Sequence, residues 1–302
     1  MTHKFDDLIR TINQLKEVEL RDLAWLILAE KISFSELPYA LIYDFNQDVI
    51  KLIDWLKENS FQRKKIESHQ SLPLGKYAES LIHFYLTNHP AYKLHGFNIQ
   101  LNQETKTIGE VDFLFRDLTN EIDYHLEFAL KYYLKTHVNN ELTYLGPSSK
   151  DSLKRKTERM ISHQCSLLEK NKELLPVGLQ AYSFQSKLLM KGSLFLPFKE
   201  WKEKSKVNPI NMGWWMELKN FEMLDNSNHI FSIHTSRKHW IYPFYNKQEK
   251  YKFQETFEKV SEFLSNNNEI MIVRWIDEQQ PIDRGFVMKN GWPTIKFLEQ
   301  QN

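Results

Sequence analysis

A single cysteine, Cys165, in 302 residues excludes a disulfide framework and any thiolate-built zinc site. It also fits a reducing compartment. An excess of charge of one sign is missing too. Forty Lys and Arg stand against 39 Asp and Glu, which argues against a protein that coats nucleic acid without specificity. A local basic patch remains compatible with that balance. No stretch reaches the roughly 18 uninterrupted apolar residues of a membrane span. The opening MTHKFDDLIR carries charge where a signal peptide needs an apolar run. The expectation is a cytoplasmic protein that makes no use of a membrane. Internal repeats and low-complexity runs are absent. There is no Gly-x-Ser-x-Gly elbow, Cys165 lacks a nucleophile's context, and Gly109 stands before a strand without a phosphate-loop pattern.

What is present points to a packed chain. Hydrophobic residues make up 41% of a length that allows one large domain or two modest ones. Residues 1–70 read as helical support. Phe5, Leu8, Ile9, Ile12 and Leu15 recur at three- and four-residue steps, as do Leu20, Leu23, Ala24, Ile27 and Leu28. Ile50, Leu52, Ile53 and Leu56 predict a third helix. A further helix is expected from 71, with Ser71 as N-cap and Pro73 in the first turn. Its apolar face is Leu74, Ala78, Leu81, Ile82 and Tyr85, with Glu79 at the edge.

From 97 the period changes to two. Phe97, Ile99 and Leu101 form one strand, and Val111, Phe113 and Phe115 alternate with Glu110, Asp112 and Leu114 in the next. The run from Ile122 to Tyr133 is the most regular. Leu126, Phe128, Leu130 and Tyr132 lie on one side, with His125, Glu127, Ala129 and Lys131 on the other. A loop is expected at 144–147, a basic helix over about 150–170 and a strand at 179–184. Beyond it, strands are predicted at 187–196, 212–219, 230–243, 269–276 and 284–288, with a helix at 247–265.

Asp112 and Glu127 stand in strands rich in apolar residues, where a carboxylate is expensive to bury unless a cation holds it. If the two strands form a hairpin, their carboxylates can face each other. With a backbone carbonyl and waters they would make a magnesium or manganese site. Lys131 shares the face of Glu127 and could orient a water or stabilise charge on a phosphate. Glu79 could hold a metal-bound water, and Gln164 could position a phosphate or that water. Glu110 and His125 are possible accessories. Lys150, Lys154, Arg155, Lys156 and Arg159 form a basic helix face suited to phosphate contacts.

Each of these residues has an ordinary alternative. Glu127 and Lys131 could form an ion pair on a solvated strand, Glu79 could be an exposed helix glutamate, and the basic run could simply be solvated. His125, His137 and His163 match no compact zinc-ligand spacing. Trp214, Trp215, Trp240 and Trp292 could stack on bases or fill a core.

Taken as a set, the sequence resembles the PD-(D/E)XK nuclease superfamily. The pieces that carry the resemblance are LGKYAE at 74–79, GEVDFLF at 109–115, HLEFALKYYL at 125–134 and MISHQ at 160–164. It also resembles a bacterial family, domain of unknown function 1853. That likeness adds LRDLAWLI at 20–27, YLGPSSKDSLKRK at 144–156, Gly213-Trp214-Trp215 and RGFVMKNGWP at 284–293. The first resemblance implies an α/β (α+β) protein with a restriction-endonuclease-like αβββαβ core over 71–200. Residues 1–70 would be a helical region packed on it, and 201–302 a mixed extension that is not independent. It further implies a Mg2+- or Mn2+-dependent nuclease acting on nucleic acid, with DNA expected ahead of RNA. In it Asp112 and Glu127 would bind the metal, Lys131 would act on the nucleophile, and Glu79 and Gln164 would assist. The chain departs from the superfamily pattern at one point. Ala129 stands where the lysine usually follows the glutamate by two, and Lys131 lies about 6–7 Å further along the strand. A non-catalytic nucleic-acid-binding or interaction module on the same fold is the alternative that this departure favours.

Overall fold

The period-two segments become the antiparallel part of a mixed sheet that has nine strands among the described residues. The computed structural model describes residues 2–32, 39–59, 72–204, 210–226 and 228–293. The strands are β1 (Tyr92–Gln103), β2 (Lys106–Asp117), β3 (Ile122–Val138), β4 (Glu141–Leu145), β5 (Gln185–Pro197), β6 (Met212–Glu217), β7 (Ile230–His234), β8 (Glu269–Trp275) and β9 (Pro281–Met288). Their spatial order is β1-β2-β3-β5-β6-β9-β8-β7, with β4 paired to β3. β1, β2 and β3 run antiparallel as consecutive hairpins. The pairs β3–β5, β5–β6 and β6–β9 are parallel, and β9–β8–β7 is antiparallel again. The sheet therefore crosses the expected boundary at 200 without a break: β6 pairs directly with β5, so the C-terminal part extends the same sheet.

The helices are α1 (Thr2–Ile12), α2 (Val18–Leu28), α3 (Val49–Glu58), α4 (Leu74–Asn88), α5 (Leu153–Arg159), α6 (Cys165–Lys170), α7 (Val177–Gln180), α8 (Phe198–Glu203) and α9 (Phe253–Asn266). Asp48 caps α3 by accepting the Lys51 N–H, which satisfies one of the orphan donors of the first turn. The largest core joins α1–α4 to the Leu126, Phe128, Leu130 and Tyr132 side of β3. Residues 240–244 enter the same core, and Trp25 packs on both Tyr242 and Phe244 with ring centroids 5.6 Å apart. The opposite side of β3, through Ala129 and Tyr133, packs on Leu153 and Met160. Among the described residues no helix is long and apolar enough to cross a membrane.

Several expected elements moved. The expected N-cap Ser71 lies outside the described residues. α4 begins at Leu74, and Pro73 is the N-cap residue, with extended ψ, rather than part of the first turn. The stretch expected as a loop at 144–147 is partly β4. Asn139 and Asn140, both with positive φ, close a tight β3–β4 hairpin of the kind that asparagine favours. At 179–184 there is no strand. Pro176 precedes the short α7, and the strand starts only at Gln185. The strand expected over 230–243 stops at His234, because 237–240 coil into a 3₁₀ turn.

Candidate active site

The register of β2 and β3 builds a fork. The two strands pair from Asp117↔Ile122 to Phe113↔Leu126 and then part. β4 takes the same edge of β3 from Leu134 onward, while β5 holds the other edge from Tyr124 to Leu134. Asp112 and Glu127 are the next residues on the two arms, so the register sets their carboxylates across the mouth of the fork. With β2 gone from its edge, Phe128 N–H donates to Asp112 Oδ2 at 2.9 Å.

Glu127 is fully buried and held at both oxygens. His125 Nε2 donates to Oε1 at 2.8 Å, in the tautomer that leaves Nδ1 to accept from Ser186 Oγ at 3.1 Å. Gln164 Nε2 donates to Oε2 at 2.8 Å. Asp112 is 8% exposed and has no such set of donors. Burial, and then the charge of Glu127, push its carboxyl up to about 8, against the pull of the Phe128 N–H. Glu79 on α4 is raised by burial as well, with Glu110 and Glu127 adding to the effect and Lys76 opposing it. Lys76, absent from the expected site, lies 2.6 Å from Glu79 and 3.1 Å from Glu110. Its only sequence signal was the three-residue spacing to Glu79 on one helix.

The fork thus brings together Asp112, Glu127, Glu79, Glu110, His125 and Gln164. Lys131 is placed differently from expectation. Its amine is turned to Asp151 at 2.9 Å, and Tyr133 Oη also donates to Asp151, at 3.3 Å. Behind Lys131 the backbone is tight. Gly192 of β5 has φ +123°, and a Cβ there would come within 1.7 Å of the Lys131 carbonyl oxygen, so glycine alone fits.

The expected basic helix is α5, a π-helical turn at Met160–Gln164, and α6. Lys154, Arg155 and Arg159 are exposed on it and Lys156 is tucked inward, whereas Lys150 is exposed in the bend before the helix, which begins only at Leu153 behind its Ser152 cap. His137 and His163 are exposed and do not join His125. Trp214, Trp240 and Trp292 are buried. Trp215 is partly buried and donates to the Lys135 carbonyl at 2.8 Å. These indoles are core and packing residues, not a stacking surface.

Two carboxylates that repel each other out of water form a donor set that a hard dication would offset. Magnesium commonly takes one or two carboxylates and completes its shell with waters. Asp112 and Glu127 fit that chemistry. Among the described residues no three His, Cys, Asp or Glu side chains converge so as to hold one ion. Searches of curated proteins and of solved structures matched nothing. The family model described as Domain of unknown function (DUF1853) spans residues 21–288, from α2 through β9, and the chain belongs to that family.

Proposed function

We propose that the protein hydrolyses phosphodiester bonds of a nucleic acid, with Mg2+ or Mn2+ held by Asp112 and Glu127. In this reading α4, β1–β3, α5–α6 and β5 are a restriction-endonuclease-like αβββαβ core. The observation that carries it is the fork, where two carboxylates from adjacent strands meet out of water and, among the described residues, no cation is hydrogen-bonded to Asp112. Such a pair raises the energy of the folded protein, and that cost is explained if the pair serves to capture a cation.

The ion, when bound, supplies charge neutralisation and a more acidic water. The chain does the rest. His125 and Gln164 lock the Glu127 carboxylate in one orientation, and Phe128 N–H locks Asp112. Glu79, kept near the fork by Lys76, is the acceptor for a water at its edge. The exposed cations of α5 sit where a polyanion's neighbouring phosphates would pass.

The test is cleavage of labelled single- and double-stranded DNA and RNA with Mg2+ or Mn2+, using Asp112→Ala and Glu127→Ala as controls. Metal-dependent cutting lost in both variants supports the reading and names the substrate. No cutting, together with no metal-induced rise in melting temperature, rejects it. A second reading then gains ground, that of a nucleic-acid-binding or interaction module on the same fold. The capture of both Glu127 oxygens by protein donors and of Lys131 by Asp151 favours that alternative.

A further inference from the structure

Ala129 leaves a methyl group between Glu127 and Lys131 on the face of β3 that α5 covers. We infer that Lys156, reaching down from α5, supplies there the positive charge that Lys131 does not, and that its amine contacts a non-bridging oxygen of the phosphate undergoing hydrolysis. This rests on the phosphodiesterase reading.

Three observations converge on it. First, Lys131 is committed elsewhere. Its amine is on Asp151 at 2.9 Å, and Arg155 stands 4.0 Å from the same carboxylate. Second, Lys156 points the opposite way from its neighbours. Lys154 and Arg155 are exposed, but Lys156 Nζ donates to Gln164 Oε1 at 3.2 Å, and Gln164 Nε2 donates in turn to Glu127. The amine is therefore two hydrogen bonds from the metal-binding carboxylate. Burial lowers its proton affinity and the nearby Lys131 lowers it further, while Asp112 and Asp151 raise it. Third, among the described residues Lys156 has no carboxylate partner within ion-pair distance. One of its three ammonium protons is used by Gln164, and two remain for a ligand.

The π-helical turn at Met160–Gln164, where the Cys165 N–H reaches back to the Met160 carbonyl, makes the convergence possible. In a straight α-helix residues eight apart diverge by about 80° around the axis. A π turn rotates less per residue and swings Gln164 back toward the face of Lys156. In the hydrolysis a water oxygen bonds to phosphorus as the phosphorus–oxygen bond to the leaving group breaks. The water's proton goes to solvent, and the leaving oxygen takes one from solvent. Lys156 stays protonated throughout and stabilises the charge on the phosphate.

The test compares the unmodified protein with Lys156→Met and Lys131→Met in three measurements. Cleavage should fall about 100-fold or more in Lys156→Met and stay within about 5-fold in Lys131→Met. The Mn2+-induced rise in melting temperature should persist in both variants. The side-chain Cε NMR signal of Lys156 should shift when Asp112 is replaced by Asn, whereas that of Lys131 should stay in place. Full cutting by Lys156→Met, or loss in Lys131→Met instead, overturns the assignment. If the unmodified protein cuts nothing, the phosphodiesterase reading fails on its own. The placement of Lys156 is then judged by NMR, and a Lys156 signal indifferent to Asp112→Asn rejects it.

Discussion

Two buried aspartates in one sheet are treated in opposite ways. Asp283 on β9 is 2% exposed and fully compensated. Trp201 and Trp214 each donate an indole N–H to it at 2.8 Å, and the Arg274 guanidinium grips both of its oxygens. Asp112 on β2 is almost as buried but accepts one backbone N–H and faces Glu127 and Glu79. The first is a charge neutralised to hold strands together. The second is a carboxyl that keeps its proton up to about pH 8, because ionising it puts a buried charge in conflict with Glu127 and Glu79. A protein gains nothing in stability from such a conflict, and this contrast is why the fork, rather than the equally polar Asp283 cluster, is the candidate site.

Breaking the comparison should give effects of very different size. The largest is in cleavage: Asp112→Ala or Glu127→Ala should lower metal-dependent cutting by about 1,000-fold or more, measured as single-turnover rates. Next, Asp283→Ala should cost about 3–5 kcal/mol in urea unfolding, because it strands Arg274 without its partner. Asp112→Asn should leave stability in alkaline buffer unchanged or higher, and a loss comparable to that of Asp283→Ala would erase the distinction. Gln164→Ala should weaken Mn2+ binding by about 10–100-fold in calorimetry, since it frees Glu127 Oε2 to turn away.

The pH dependence sharpens the same point. A carboxyl raised from 3.8 in the unfolded chain to about 8 in the fold binds its proton more tightly when folded. Its ionisation therefore withdraws stability as pH rises from about 4 to about 8, by at most about 1.4 kcal/mol per pH unit. Asp22, buried beside Tyr77 and likewise pushed up to about 8 by burial, acts in the same direction. Asp112→Asn should thus remove only part of the slope, and Mg2+ should remove that same part while leaving the share due to Asp22. The smallest effect belongs to Lys131→Ala. The Lys131–Asp151 pair is about a third exposed on each side, and its loss should cost about 1 kcal/mol or less.

Much of this was legible from local pattern. Alternation of apolar and polar residues marks β1, β2 and β3, and carboxylates inside such runs single out Asp112 and Glu127 before any pairing is known. The spacing along one strand likewise put His125 beside Glu127. The Asn139-Asn140 turn also has a local signal, because asparagine tolerates positive φ. Where the Lys131 amine turns is something that spacing cannot reveal. A long flexible side chain goes to the nearest counter-charge, and Asp151 reaches it from a separate loop. Lys156 and Lys154 look alike in sequence, and only the packing of α5 on β3 turns one inward and the other to solvent.

By itself, then, the sequence determined the alternating strands, the amphipathic helices and the presence of two acids in apolar surroundings, because these follow from periodicities of two and 3.6 residues along the chain. Tertiary structure alone decided that β5 and β6 join the two parts in one sheet, that β2 leaves β3 just where Asp112 meets Glu127, and which lysine of α5 turns inward. Those features depend on contacts between residues far apart in the chain, and no local period encodes them.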